Sequence, residues 1–178
     1  MERITINTFG LDIGAIRNDF PILQKEINGK PIIYFNSVGS DHKPENIDGN
    51  SAALYEQELL KYATEKLSTI ESLKIVENNK KKEPVISFDL EGTDLKELES
   101  YLSLKWNIAV GADDLSAQAP TEESGVKSLI SVSFCYYNTQ EEIDILCEAI
   151  QSFIDQKRLD ETAHQQAERQ EIIPANIW

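Results

Sequence analysis

The sequence has few of the residues that build metal centres or disulfide frameworks. Its 178 residues include two cysteines, Cys135 and Cys147, which are too few for a disulfide framework. Its two histidines, His42 and His164, lie too far apart in sequence for a histidine-rich metal cluster. No apolar run approaches the roughly 18 residues of a membrane span, and no basic head precedes an apolar stretch at the N-terminus. These absences predict a cytoplasmic protein without a membrane partner.

Basic residues are outnumbered by acidic ones. Lys and Arg total 17, Asp and Glu total 31, and the formal net charge is −14. Phosphate binding depends on Lys and Arg, so this balance disfavours nucleic acid as a partner and suits a basic protein. The length corresponds to one domain, and the composition, 40% hydrophobic and 27% charged, is that of an ordinary globular protein.

Hydrophobic periodicity and capping signals predict helices alternating with strands. Predicted helices begin near residues 12, 51, 94 and 139, predicted strands cover 31–35, 73–76, 84–90, 108–110 and 129–137, and predicted loops cover 36–50, 78–83 and 111–127. Thr139 followed by Glu142 is a capping box for the last helix. This order predicts an α+β two-layer sandwich, with an antiparallel or mixed sheet of about four strands and helices mainly on one face.

The chain is expected to form a single domain over residues 1–156, followed by a polar extension over 157–178. The extension ends in the apolar stretch Ile-Ile-Pro-Ala-Asn-Ile-Trp. Trp178 is interpreted either as an anchor for a pocket on a partner or as a plug that docks on its own chain.

Residues with catalytic or metal-binding chemistry are sparse. His42 is the only histidine of the predicted domain, so a Ser/His/Asp triad is disfavoured. Cys135 and Cys147 fall on a strand and on a core helix stripe, where thiols usually act as small hydrophobes. The acidic pairs 113–114 and 122–123 match no calcium loop, and a solvated loop is the favoured interpretation.

Two blocks of sequence carry a family resemblance. The first covers residues 16–23 and 26–37 and continues to Lys43-Pro44. The second begins at Glu58 and includes residues 85–88, 108–110, 117–118, 133–134 and 137–144. Both blocks resemble SufS-like (group II) cysteine desulfurases, which are pyridoxal-phosphate (PLP) enzymes of the class V aminotransferase family. The fold implied is that of the small C-terminal domain of fold-type I PLP enzymes, with segment 11–50 packed on residues 51–156.

The family places a large cofactor-binding domain between these two blocks, and here only a short loop and a helix start separate them. The resemblance therefore implies that three parts of the cofactor site are absent: the Schiff-base lysine, the aspartate that pairs with the pyridine nitrogen, and the groups that bind the phosphate. No cofactor and no metal are expected.

Other family positions have also changed. Ser116 occupies the place of the persulfide-forming cysteine, Ser131 that of the arginine that binds the substrate carboxylate, and Asn36 begins an altered N-terminal motif. The pKa of a serine hydroxyl is far too high for it to carry a sulfane sulfur. Without the arginine, the pair of hydrogen bonds to the substrate carboxylate is also lost. The resemblance thus implies a chain without cysteine desulfurase activity.

The leading hypothesis is a non-catalytic, truncated desulfurase-like protein that serves as a binding or regulatory module in sulfur or Fe–S metabolism. The candidate interaction surface includes Asp113, Asp114, Gln118 and Trp178. The expected partner is a protein: a second copy in a homodimer, a full-length desulfurase or a sulfur acceptor.

Two alternatives remain. A residual PLP-dependent or sulfur-transfer enzyme would need Lys43, Lys127, Cys135 or Cys147 as its reactive group. A small-ligand or metal-binding domain would use the acidic loop 111–123.

Overall fold

Helices and short sheets make up a mixed α/β structure. The computed structural model describes residues 6–27, 29–36, 47–76, 84–114 and 128–171, without the side chains of 112–114, 128 and 167–171. The helices are α1 (Ile13–Asn18), α2 (Gly49–Leu67), α3 (Leu95–Trp106) and α4 (Gln140–Glu171), with a 3₁₀ helix at Pro21–Gln24. The strands are β1 (Glu26–Ile27), β2 (Lys30–Pro31), β3 (Ile33–Tyr34), β4 (Leu73–Val76), β5 (Val85–Leu90), β6 (Ile108–Ala109), β7 (Gly111–Asp114) and β8 (Ser128–Ser133). None of the helices in these ranges has the length and apolar character needed to cross a membrane.

The main sheet has four antiparallel strands in the order β4-β5-β8-β7. Successive side chains of a strand point to opposite faces, so one face carries Phe88, Ile130 and Val132, all fully buried. These residues belong to one hydrophobic cluster with the buried residues of α2, α3 and α4. The other face carries the buried serines Ser87 and Ser131. The sequence alternation predicted this apolar face correctly.

The N-terminal segment is part of the same core. Strand β3 pairs in parallel with β6, and the Phe35 amide donates to the Ala109 carbonyl at 2.8 Å. The Phe35 carbonyl in turn accepts from both the amide and the hydroxyl of Ser133, each at 2.8 Å. The buried Phe35 ring lies edge-on to Phe134, with ring centroids 5.6 Å apart. The segment is therefore fixed both by backbone hydrogen bonds and by packing.

Local capping determines where the helices begin and end. The Asp48 carboxylate accepts from the Ser51 amide, so α2 begins at Gly49, inside the stretch predicted as loop. Asn107 adopts a left-handed conformation (φ 56°) that ends α3. Its Nδ2 donates to the Ile27 carbonyl at 2.7 Å, which ties this helix end to the β1–β2 hairpin.

Two other predicted bounds differ from the structure. Gly111–Asp114 was predicted as loop but forms strand β7, because it pairs with β8. The strand predicted to reach residue 137 ends at Ser133. Helix α4 continues to Glu171, so the predicted extension is helical over 157–171. The predicted loop at 78–83 and the rest of the loop 111–127 lie outside the described residues.

An ion pair joins the N-terminal segment to the start of α4. Arg17 Nη1 of α1 donates to Glu142 Oε1 at 2.7 Å and to the Tyr137 carbonyl at 2.8 Å. The two charged side chains are only 20% and 10% exposed. Glu142 Oε2 accepts from Asn138 Nδ2 at 3.0 Å and from the Thr139 amide at 3.2 Å. The latter bond completes the predicted capping box, in which the Glu142 amide donates to Thr139 Oγ1.

Replacing Arg17 should therefore destabilise the whole fold. Arg17→Ala leaves the Glu142 charge nearly buried without its cation, and we expect a loss of about 2 kcal/mol in the free energy of unfolding. The control is Arg158→Ala, which breaks an exposed pair with Glu71 and should change stability by less than about 0.5 kcal/mol. Urea unfolding measures both, and equal effects would contradict the structural role of Arg17.

Candidate functional site

One of the changed family positions, Ser131, lies on an inner strand of the main sheet. Ser131 on β8 lies opposite Ser87 on β5 and opposite Gly111 on β7. The hydroxyls of Ser87 and Ser131 are 2.9 Å apart, within hydrogen-bonding distance. Ser87 is 4% exposed and Ser131 is 3% exposed. The position that the resemblance assigns to an arginine is thus occupied by a buried, neutral, hydrogen-bonded hydroxyl.

Asn36 borders the same row. A Cβ atom added to Gly111 would lie 3.2 Å from Asn36 Oδ1 and 3.3 Å from the Ser131 carbonyl oxygen. A glycine at this position lets the Asn36 side chain and the β8 backbone approach closely. The structure therefore brings together Asn36 and Ser131, which are 95 positions apart in the sequence. We call Asn36, Ser87, Gly111 and Ser131 the serine row.

The serine row offers hydroxyl and amide groups but no charge. Neither a lysine that could form an imine nor an arginine that could bind a carboxylate belongs to it. The described residues also contain no group of three His, Cys, Asp or Glu side chains that could hold a metal ion. Asp113 and Asp114 lie on the edge strand β7, at the far end of the sheet from β4. The other predicted groups, namely Lys43, Ser116, Gln118, 122–123, Lys127 and Trp178, lie outside the described residues.

Neither cysteine is a member of the serine row. Cys147 is half-buried on α4. Burial, with a smaller contribution from the nearby Asp144 carboxylate, raises the pKa of its thiol to about 11. Cys135 is also half-buried, and its backbone amide donates to Asn138 Oδ1 at 2.9 Å. At neutral pH the Cys147 thiol is protonated, and in that state it is a poor nucleophile.

A cleft that no sequence pattern predicted lies where the N-terminal segment meets the helices. The cleft has a volume of about 620 Å³. Its walls are the turn before α1, the start of α1, the middle of α2 and the start of α4, which contribute Ile6, Asn7, Thr8, Asp12, Ile13, Gly14, Arg17, Tyr55, Glu58, Thr139, Gln140 and Glu141. Helical periodicity could place Glu58 on the outer face of α2, but no local pattern could show that the N-terminal turn faces it.

The electrostatic environment of the cleft is negative. Tyr55 lies in its wall and donates its hydroxyl proton to the Asn138 carbonyl at 2.9 Å. Burial raises the pKa of Tyr55 to about 12, and the charges of Glu141 and Glu58 contribute to the increase. The cationic Arg17 is bonded to Glu142 and the Tyr137 carbonyl, so it compensates these carboxylates only in part.

Comparison with known proteins identifies the family. The profile of the Aminotransferase class-V family matches residues 37–146, well over half of the chain. The chain therefore belongs to this family. Within it, a probable cysteine desulfurase from Mycolicibacterium paratuberculosis is 36% identical over 98 residues, which is 55% of this chain and 14% of that protein. A cysteine desulfurase from Klebsiella pneumoniae is 45% identical over 48 residues, or 27% of this chain and 11% of that protein.

A solved structure agrees with this assignment at the level of the fold. The cysteine desulfurase CsdA (S-sulfonic acid) from Escherichia coli matches with a TM-score of 0.54 and 24% identity. The match covers 62% of this chain and 27% of that structure. The chain is thus similar to cysteine desulfurases over part of its length and spans only a small part of these relatives.

Returning an arginine to the serine row should disrupt the sheet. Ser131→Arg would place a charge at a 3% exposed position beside Ser87, and we expect a loss of at least about 3 kcal/mol in the free energy of unfolding. Ser103→Arg on the exposed face of α3 is the matched control, with an expected change below about 0.5 kcal/mol. If urea unfolding shows Ser131→Arg as stable as the wild type, the row is open enough to hold a cation.

The Cys147 thiol should react slowly. Raising its pKa from 9.0 to about 11 lowers the thiolate fraction at pH 8 by about a hundredfold. In a Cys135→Ser background, iodoacetamide should alkylate the folded protein far more slowly than the urea-unfolded protein. The rate for the folded protein should keep rising with pH up to about 11. Similar rates in the folded and unfolded protein at pH 8 would show an activated thiol and favour sulfur transfer.

Proposed function

We propose that this chain is a non-catalytic relative of SufS-like (group II) cysteine desulfurases that binds another protein as a regulatory or binding module in sulfur or Fe–S metabolism. The observation that carries the proposal is the state of the serine row. At the position of the substrate arginine, Ser131 is buried and its hydroxyl lies within hydrogen-bonding distance of Ser87. A buried neutral pair has neither the charge nor the room to hold the carboxylate of an amino acid substrate.

The fold supports the proposal independently, because the two blocks of sequence share one core. The mixed α/β fold, with a four-stranded antiparallel sheet whose apolar face packs with the helices in one core, supports the small two-layer domain that the resemblance implies. Segment 11–50 supplies Leu11, Ile16, Leu23, Ile33 and Phe35 to the same core. These two blocks can therefore bury a common core without the large cofactor domain that the family places between them.

PLP does not fit the residues that the structure describes around the serine row. The cofactor needs a lysine for its imine and groups that hold its phosphate and pyridine nitrogen. Asn36, Ser87, Gly111 and Ser131 supply none of these groups. This mismatch supports a role without the cofactor, and the proposal assigns that role to the binding of a protein partner.

A PLP titration tests the non-catalytic half of the proposal. We expect no imine absorbance to survive gel filtration after incubation with PLP, and no sulfide release from cysteine. A full-length cysteine desulfurase treated in parallel is the positive control. Retained absorbance that disappears in Lys43→Ala or Lys127→Ala would overturn this half and support the enzyme alternative.

The binding half is tested by light scattering coupled to size exclusion. The chain is run alone and after mixing with a purified cysteine desulfurase or sulfur acceptor of its own organism. A mixed peak that contains both proteins supports the module. A lone monomer in every mixture contradicts these partners, and a homodimer would identify a second copy as the partner.

A further inference from the structure

Two concave surfaces outside the serine row differ in their charge pattern. The groove between α3 and α4, about 250 Å³, is bordered by Glu97, Lys105, Lys157 and Asp160. Lys157 already pairs with Glu97, and the signs alternate, so this groove selects no particular charge on a partner. The cleft at the N-terminal segment is larger and carries three carboxylates, those of Asp12, Glu58 and Glu141. Only this cleft specifies the chemistry of an occupant.

The carboxylates of the cleft have no cationic partner within the described part of the chain. Glu58 accepts a hydrogen bond from the neutral Gln140 amide at 3.2 Å. Glu141 is exposed in the first turn of α4 and makes no hydrogen bond to the described residues. Asp12 Oδ1 accepts from the Ala15 amide and so caps α1, which leaves its other carboxylate oxygen without a hydrogen bond to the described residues. The nearby Arg17 is held by Glu142. A cation entering the cleft would therefore meet carboxylates whose charges no described residue fully compensates.

Apolar surface lies directly beside these charges. Ile6 lines the cleft and is 61% exposed, and Ile13 and the ring of Tyr55 continue the same wall. Lysine and arginine side chains combine an apolar stem with a cationic head, and such side chains cover apolar surface while the head remains near an acid. The cleft thus fits a basic side chain better than a small inorganic cation.

The net charge of −14 argues against a second copy as the occupant. Two such molecules repel each other at long range, whereas a basic surface on a different protein is attracted and steered toward the cleft. We propose that the cleft docks a basic segment of a different protein, with a lysine or arginine head beside Glu58 and Glu141 and its stem against Tyr55. This inference rests on the proposed function and specifies the chemistry of its partner.

A labelled basic peptide tests the inference. The probe is fluorescein-Gly-Leu-Arg-Leu-Arg-Leu-Gly-amide, and the control peptide has glutamine in place of arginine. We expect binding by fluorescence polarisation to the wild type, weakened by salt, and at least about tenfold weaker binding to Glu58→Gln/Glu141→Gln. The matched control is Glu99→Gln/Glu148→Gln, which removes two negative charges from α3 and α4 at positions that do not line the cleft. It should change the Kd by less than about twofold. Urea unfolding confirms that both variants are folded.

Backbone amide NMR shifts locate the peptide. Shifts concentrated at Gly14, Tyr55 and Gln140 support the cleft. The inference is overturned by equal weakening in both double variants, by equal binding of the glutamine peptide, by the absence of binding, or by shifts elsewhere. Spermine that binds as tightly as the peptide would also overturn it, because the cleft would then be a polyamine site. None of these outcomes changes the result of the PLP titration or of the mixing experiment. Failure of this inference can therefore be distinguished from failure of the proposed function.

Discussion

The carboxylate of Glu142 is the group on which the arrangement of this protein depends. Placing a charge at an 8% exposed position is costly unless hydrogen bonds and an opposite charge compensate it. Glu142 receives such compensation from Arg17, Asn138 Nδ2 and the Thr139 amide. Since Arg17 lies on α1 and Thr139 caps α4, the Glu142 side chain links the N-terminal segment directly to the start of α4.

The serine row and the cleft both follow from this network. On one side, Asn138 Nδ2 donates to the Tyr34 carbonyl at 3.1 Å and so fixes the strand that leads to Asn36. Asn36 then reaches Gly111 at the serine row. On the other side, Arg17 holds the start of α1 against the start of α4, which forms two walls of the cleft. A change in the network would therefore alter both surfaces together.

Sequence reasoning identified the features that depend on neighbouring residues. The capping box at Thr139, the Asp12 cap and the alternation along β5 and β8 are local signals, and the structure confirms them. Strand β7 was missed because glycine and aspartate disfavour strands, and only its pairing with β8 makes Gly111–Asp114 extended. Pairing with β8 thus outweighs the low strand preference of these residues.

The site could be predicted only in part for the same reason. Ser131 and Asn36 were identified one at a time through the resemblance, but their shared contact with Gly111 depends on strand register. The cleft was missed altogether, since Ile6, Glu58 and Glu141 come from three distant parts of the sequence. The Arg17–Glu142 pair joins positions 125 residues apart and holds α1 against the start of α4, while Glu58 on α2 meets α4 through Gln140.

The distribution of charge relates the serine row and the cleft to the same electrostatic preference. A free amino acid substrate presents a carboxylate, and a chain of net charge −14 with a neutral serine row provides no attraction for it. The same negative field favours the approach of a basic macromolecule, and this attraction extends over roughly one Debye length in physiological salt. In the proposed complex, the exposed carboxylates of the cleft are the groups that the partner meets. The proposed docking of a basic protein surface therefore rests on the same charge distribution that disfavours an anionic substrate.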